Sequence, residues 1–412
     1  MAKSFNIVTF GCKSNQYDSQ LWRRLFLDAG WKESPEAADV CLVNTCTVTA
    51  AADRQARQAV RRIRKHNAGA KIIVAGCAGE VAAGAFAKMP EAGLVVGRHG
   101  RENAEKVNRF LGMADRSSGG GIDRFSGHTR AFIKVQDGCS HACSYCIVPR
   151  ARGASRSRDL AEVVAEAQRL LAAGHRELVL TGIRLGDFKP SLGLLLATLS
   201  SLPGLGRLRL SSLEPDDVDR ELVETLARLP KAARHLHLPL QSGSDRILAA
   251  MGRPYSLERY RETLGKVAGE NPGVTFGTDL MVGFPGETEE DFMSSLRAAV
   301  ELPISHLHVF SYSRRPGTRA AVMPGQVPEA IKRERSLRLR EAFEAKRRCF
   351  WQGLVGGREE VLFESFEGGW WSGLSEHYFR VRTPSPEALG NQFRRVRLVS
   401  VGDDCLGGEL EP

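Results

Sequence analysis

No stretch of this 412-residue chain is apolar for long enough to cross a bilayer. Residues 1–10 hold a short strand-like apolar run but lack the basic, apolar and small-residue regions of a secretory signal, so the expected location is the cytoplasm. There is no internal repeat and no long low-complexity tract. An even cysteine count is also missing. Nine cysteines in a long chain argue against a disulfide framework and for thiolates used as ligands in a reducing compartment. What is present is ordinary globular material, 42% hydrophobic and 26% charged, enough for two large domains and a small one. The net charge of +10 points to a polyanionic partner, with basic residues bunched at 54–65, 150–158 and 332–348. The alternative for each run is a solvated helix face.

A Gly- and Ser-rich segment, 117–129, is the expected linker between patterned regions. Before it, β-like runs at 5–10, 40–44 and 71–75 alternate with helix-like stretches at 18–29 and 52–64. This alternation predicts an α/β domain with a parallel sheet over residues 1–116. After the linker, strand candidates at 132–136, 177–181, 207–212, 235–241, 274–282 and 306–312 predict an incomplete (β/α)6 barrel over 130–348. Short alternating runs from 359 onward predict a small antiparallel β-barrel within 349–412.

Two cysteine sets carry the chemistry. Cys139, Cys143 and Cys146 lie in one compact loop, DGCSHACSYC, after the strand AFIKVQ. A structural zinc site needs four ligands and closure, whereas three thiolates on an iron-sulfur cluster leave one iron open. His141 keeps a zinc reading available as a fourth ligand. The second set rests on position: Cys12, Cys46 and Cys77 each sit just past an apolar run, more than thirty residues apart in sequence. In a parallel sheet the loops after strands gather on one edge, so these three can converge there. Buried free cysteines are common, and Cys41, inside its strand, reads as core. Cys349 and Cys405 receive no role.

The spacing CxxxCxxC resembles the radical S-adenosylmethionine superfamily. That resemblance implies a 4Fe-4S cluster whose open iron chelates S-adenosylmethionine, with Tyr145 near the adenine, and reductive cleavage to a 5′-deoxyadenosyl radical. GCKSNQYDS, NTCTVTAAADRQARQAVRR, GCAGE, DGCSHACSYCIVPRARG and HLHLPLQSGSDRILAAMGRPY, in that order, resemble the methylthiotransferases. These combine an N-terminal cluster domain, a radical S-adenosylmethionine barrel and a C-terminal RNA-binding barrel called TRAM. NTCTVT and the following basic run look like the branch acting on N6-threonylcarbamoyladenosine in transfer RNA. Other branches act on isopentenyladenosine or on a ribosomal-protein aspartate. Glu80 departs from the glutamine usual after the third cysteine.

The resemblance implies a second 4Fe-4S cluster on Cys12, Cys46 and Cys77, sulfur insertion at C2 of the adenine beside the anticodon, and a reducing electron donor. It also places Gln241 and His237, on one face of HLHLPLQ, at the cofactor site, where a core histidine is the alternative. Glu214 matches a ribose-contacting position, and Thr181 with Gly182 matches the superfamily's glycine-rich turn. Residues 283–288 read as a turn and helix start. Arg150 and Arg152 are expected at the cavity mouth, pairing with RNA phosphate, with a surface salt bridge as the alternative. Trp370, Trp371, Tyr378, Phe379, Arg380, Arg394, Arg395 and Arg397 interleave aromatics with charge as single-strand RNA platforms do. A non-catalytic zinc protein that binds nucleic acid is the competing class.

Overall fold

The computed structural model describes residues 3–35, 38–114 and 120–411. Its first layer is a five-stranded, fully parallel sheet in the spatial order Lys32–Glu33, Ser4–Thr9, Val40–Thr45, Lys71–Gly76, Leu94–Val95. The central strand Val40–Thr45 is buried at every position, as a strand covered on both faces must be. Helix Lys13–Asp28 covers one face with Trp22, Leu25 and Phe26. Helix Ala50–His66 covers the other with Ala56 and Val60. Thr49 starts that second helix by accepting a hydrogen bond from the Ala52 amide. The three long strands match the expected runs. The two-residue edge strands have too little pattern to be read from sequence.

Six parallel strands follow in sequence order: Ala131–Lys134, Glu177–Thr181 and Arg207–Leu210 in one sheet, His235–His237, Thr275–Val282 and Ile304–Ser311 in the next. A single bridge between Leu208 and Ala232 joins the two sheets into the expected partial barrel. One continuous apolar core, including Ile133, Leu180, Leu236 and Phe276, runs through it. Thr288 and Asp291 form a capping box at helix Glu289–Glu301, so 283–288 is the turn and helix start that was expected.

Of the expected linker, 117–119 lie outside the described residues. The remainder is no free tether: Ile122 and Phe125 are buried in the barrel core. The Phe125 amide donates to His175 Nε2, and the Ile122 amide to Glu166. Glycine and serine there permit a tight path across a packed surface. The expected boundary at 348/349 falls inside helix Glu329–Leu354, which runs from the large barrel into the small one. Its basic run is also less free than its charge suggests. Lys332 and Arg335 are buried, Arg335 pairs with Glu287 at 2.7 Å and Arg338 with Glu289 at 2.8 Å.

The C-terminal strands close into a barrel in the order Arg358–Glu367, Trp370–Ser375, Arg380–Pro384, Leu406–Leu410, Phe393–Val401. Its pairings are antiparallel as expected, except that Arg380–Pro384 and Leu406–Leu410 run parallel. This barrel sits against the N-terminal ends of the large barrel's strands. Arg207 donates to the carbonyls of Leu374 and Glu360, Arg209 to that of Ser375, and Thr275 to that of His377. Buried Glu177 pairs with both arginines. Tyr378 stacks on His235 with ring centroids 4.9 Å apart, and Phe379 is buried in the small barrel's core. Tyr378 and Phe379 are therefore packing residues rather than an RNA platform, while Trp370 is 44% exposed.

Candidate functional site

Three strands of the N-terminal sheet end at Cys12, Cys46 and Cys77. Gly11 and Gly76, directly before two of them, have φ of +105° and +96°. Any side chain is strained at these angles, and a Cβ on Gly11 would sit 2.7 Å from the Cβ of Cys46. The Cys12 and Cys77 thiols each lie 3.7 Å from the same atom, Asn15 Oδ1. Asn15 Nδ2 in turn donates to the carbonyls of Phe10 and Thr45, at 3.0 and 2.9 Å. One buried asparagine thus gathers the three strand ends. Burial pushes the Cys77 thiol up to about 12, with Arg152 pulling against it, and burial raises Cys46 as well.

The second set is local. Cys139, Cys143 and Cys146 share a loop clamped from behind by Ser144, whose amide and hydroxyl donate to the carbonyls of Met251 and Ala250, both at 2.8 Å. The amides of His141 and Val148 point at Cys139 Sγ and Cys146 Sγ, each at 3.4 Å. Burial lifts the Cys146 thiol to about 11, and the Val148 amide opposes it.

The donor geometry discriminates between groups these cysteines can hold. Tetrahedral zinc, with Zn–S near 2.3 Å, requires sulfurs about 3.8 Å apart. Among the described residues, the clusters whose His, Cys, Asp or Glu ligand atoms all lie within 4.8 Å of each other include neither cysteine set, and none includes His141. As they stand, neither set gathers its three sulfurs as closely as one tetrahedral ion needs. The donor chemistry, three thiolates in each set, suits an iron-sulfur cluster with one open iron.

Between the sets lies Arg152. Expected at the cavity mouth, it is 1% exposed. Its Nη1 donates to Asp137 Oδ1 at 2.9 Å, and its Nη2 to Asn15 Oδ1 at 2.6 Å and Asp18 Oδ2 at 3.3 Å. Lys134 bonds both carboxylates, and Arg98 bonds Asp137. Burial works against the Arg152 charge, yet Asp18, Cys77 and Asp137 hold its pKa well above the ordinary value. Arg150 is exposed and donates to the Pro316 carbonyl. A second seam joins the Cys46 loop to the large barrel: Arg315 Nη2 donates to Thr47 Oγ1 at 2.7 Å and Asp53 Oδ2 at 2.6 Å, while the Ala50 amide donates to Ser313 Oγ.

These seams enclose a cavity of about 220 Å³ with walls from both regions: Val48 and Thr49 beside Cys46, Tyr145 and Cys146 from the loop, and Gln241 and Asp279 from the barrel. Gln241 lies beyond the strand that was expected to carry it, which ends at His237. Its backbone takes φ of +72° and bridges Asp279 and Met281. His237 is not in the cavity wall. It faces Asp279 Oδ1 at 3.1 Å, and His308 faces the same oxygen at 3.2 Å. Both contacts hold Asp279 below the usual carboxylate range against the effect of burial. Glu214 pairs with Arg253 at 2.6 Å, and Arg253 donates to the Tyr145 hydroxyl at 2.8 Å, fixing that ring. Thr181 and Gly182 are also outside the wall. Thr181 is buried, and Gln136 Oε1 lies against Gly182 while accepting from the amides of Ile183 and Arg184. Sequence reasoning passed over Asn15, Arg253 and Arg315. Asn15 stands inside GCKSNQYDS, where only Cys12 drew notice, and Arg253 inside HLHLPLQSGSDRILAAMGRPY, where only His237 and Gln241 did.

A partial parallel barrel with a three-cysteine loop after its first strand defines a radical S-adenosylmethionine protein. Residues 133–299 match the Radical SAM superfamily, and residues 4–97 match the Uncharacterized protein family UPF0004. The chain is 35% identical to the threonylcarbamoyladenosine tRNA methylthiotransferase MtaB of Bacillus subtilis, over 96% of this chain and 93% of that one. It is 36% identical to the MtaB of Aquifex aeolicus, over 94% and 98%. The tRNA-2-methylthio-N(6)-dimethylallyladenosine synthase of Dichelobacter nodosus is 32% identical, over 99% and 96%. The radical S-adenosylmethionine methyltransferase TsrM of Kitasatospora setae, solved with cobalamin and a [4Fe-4S] cluster, shares the fold with a TM-score of 0.57 at 18% identity, over 78% and 77% of the chains. The chain belongs to the radical S-adenosylmethionine tRNA methylthiotransferase family. No helix among the described residues is long and apolar enough to cross a membrane.

Proposed function

We propose that this protein methylthiolates C2 of N6-threonylcarbamoyladenosine beside the anticodon of transfer RNA. The observation that carries this reading is the shared cavity, whose wall takes residues from the Cys46 loop and the Cys146 loop at once. Cys139, Cys143 and Cys146 would hold one 4Fe-4S cluster, and Cys12, Cys46 and Cys77 a second. When bound, the clusters and S-adenosylmethionine supply the radical that takes hydrogen from the adenine and the methylated sulfur that replaces it.

The chain's own residues give the reaction its place. Arg253, held by Glu214, fixes the Tyr145 ring against the cavity, and Gln241 and Asp279 form the facing wall. Arg315 ties the Cys46 loop to the large barrel through Thr47 and Asp53, holding the two regions in contact beside the cavity. A base in the unpaired anticodon loop can leave its stack at low cost to enter such a cavity. Phosphate contacts fall to the helix Ala50–His66, which starts at the cavity wall. Its Arg54, Arg61 and Arg62 are exposed and make no ion pair among the described residues.

The threonylcarbamoyl substrate is favoured over the dimethylallyl one by the higher identity to MtaB relatives and by the NTCTVT motif. Nucleoside analysis of transfer RNA from a deletion strain tests it. The expected result is loss of 2-methylthio-N6-threonylcarbamoyladenosine, restored by the gene. Loss of the dimethylallyl nucleoside instead moves the assignment to that branch. An unchanged profile overturns the transfer RNA reading.

A further inference from the structure

We propose that Arg152 is the positioning residue that sets the charge around Cys12, Cys46 and Cys77, and thereby the reduction potential of the cluster they would hold. This rests on the two-cluster reading above. Arg152 lies six residues after Cys146, on the short helix Val148–Arg152 that continues the cysteine loop. Its guanidinium nevertheless reaches into the other set and donates to Asn15 Oδ1, the atom at which both the Cys12 and Cys77 thiols converge. Its second nitrogen holds Asp137, two residues before Cys139. One planar fork therefore fixes where the two sets stand relative to each other.

Arg152, Lys134 and Arg98 face Asp18, Asp137 and, at 3.9 Å, Glu80, so the network sets three cations against three carboxylates. Three thiolates on a cluster would bring further negative charge to Arg152, the cation of this network that bonds Asn15. The two sets have different cations beside them: Arg152 bonds Asn15, on which the Cys12 and Cys77 thiols converge, whereas Arg253 bonds Tyr145 in the other loop. One-electron reduction of the second cluster adds a negative charge beside Arg152. Removing that cation therefore makes reduction harder at this cluster and not at the other.

The test uses the full chain with Cys139, Cys143 and Cys146 replaced by Ala, which leaves a single cluster to observe. Dithionite titration monitored by electron paramagnetic resonance gives its midpoint potential in this parent, in Arg152→Gln and in Arg152→Lys. The expected result is a shift to more negative potential in Arg152→Gln, beyond the spread of replicate titrations, with Arg152→Lys close to the parent. Loss of iron from Arg152→Gln alone also supports the inference. Equal potentials in all three proteins overturn it, as do equal shifts or iron loss in both variants, since charge would then not be what matters. If the parent itself binds no iron, the two-cluster reading falls and takes this inference with it. A parent with iron but unmoved variants defeats the role of Arg152 alone.

Discussion

The two cysteine sets are assembled by opposite routes. Cys139, Cys143 and Cys146 come from eight consecutive residues, and their loop needs only local clamps such as Ser144. Cys12, Cys46 and Cys77 come from three separate strands and exist as a set only once the parallel sheet has formed. The same device nonetheless starts both: Gly138 precedes Cys139 with φ of +77°, as Gly11 and Gly76 precede Cys12 and Cys77. A left-handed glycine turns the chain out of its strand and frees the next side chain to face the ligand. A local set tolerates distant change, whereas a dispersed set inherits every weakness of the sheet and its seams.

The most severe way to break the comparison is Cys143→Ala. It should abolish reductive cleavage of S-adenosylmethionine and every later product, measured as 5′-deoxyadenosine and as methylthiolated nucleoside. Cys77→Ala should separate the two sets: nucleoside product falls to background while 5′-deoxyadenosine continues to form. If Cys77→Ala still thiolates transfer RNA, the division of labour fails. Arg315→Ala should loosen the dispersed set without touching the local one, because it leaves Asp53 buried and unpaired, a loss of roughly 3 kcal/mol. Hydrogen exchange should then rise around Thr47 and Asp53 and stay unchanged at 139–146.

The smallest effect is in pH. His99 packs edge-on against Trp22 under the dispersed set, and its Nε2 is buried without a partner. Burial lowers its pKa from 6.5 to about 4. The unfolded chain therefore takes up this proton first as pH falls, so the contribution is intact above pH 6.5 and declines toward pH 4. The loss reaches at most about 3 kcal/mol. Thermal melts of wild type and His99→Gln across that range should converge as pH drops. Parallel curves would remove His99 from the account.

Strands were legible where an apolar run is bounded by a cysteine or a turn. Val40–Thr45 and Glu177–Thr181 could be bounded within a residue for that reason. Charged residues were the least legible. Arg152 and Arg335 sit in basic runs that sequence alone presents as solvated, and Arg207 and Arg209 in a strand whose charges it leaves unpartnered, yet each is buried against a carboxylate distant in the chain. Local pattern carries no sign of a partner more than thirty residues away, as with Glu177 and Arg209. Gln241 was misplaced for a related reason. Period-two alternation assumes an unbroken strand, and this one stops at His237 before Pro239.

The small barrel packed against the strand starts has a consequence for traffic. With Tyr378, His235 and His306 filling that end, the large barrel is closed at its strand starts. A small molecule bound for the cysteines would therefore approach from the opposite end, where Tyr145, Cys146 and Gln241 line the cavity.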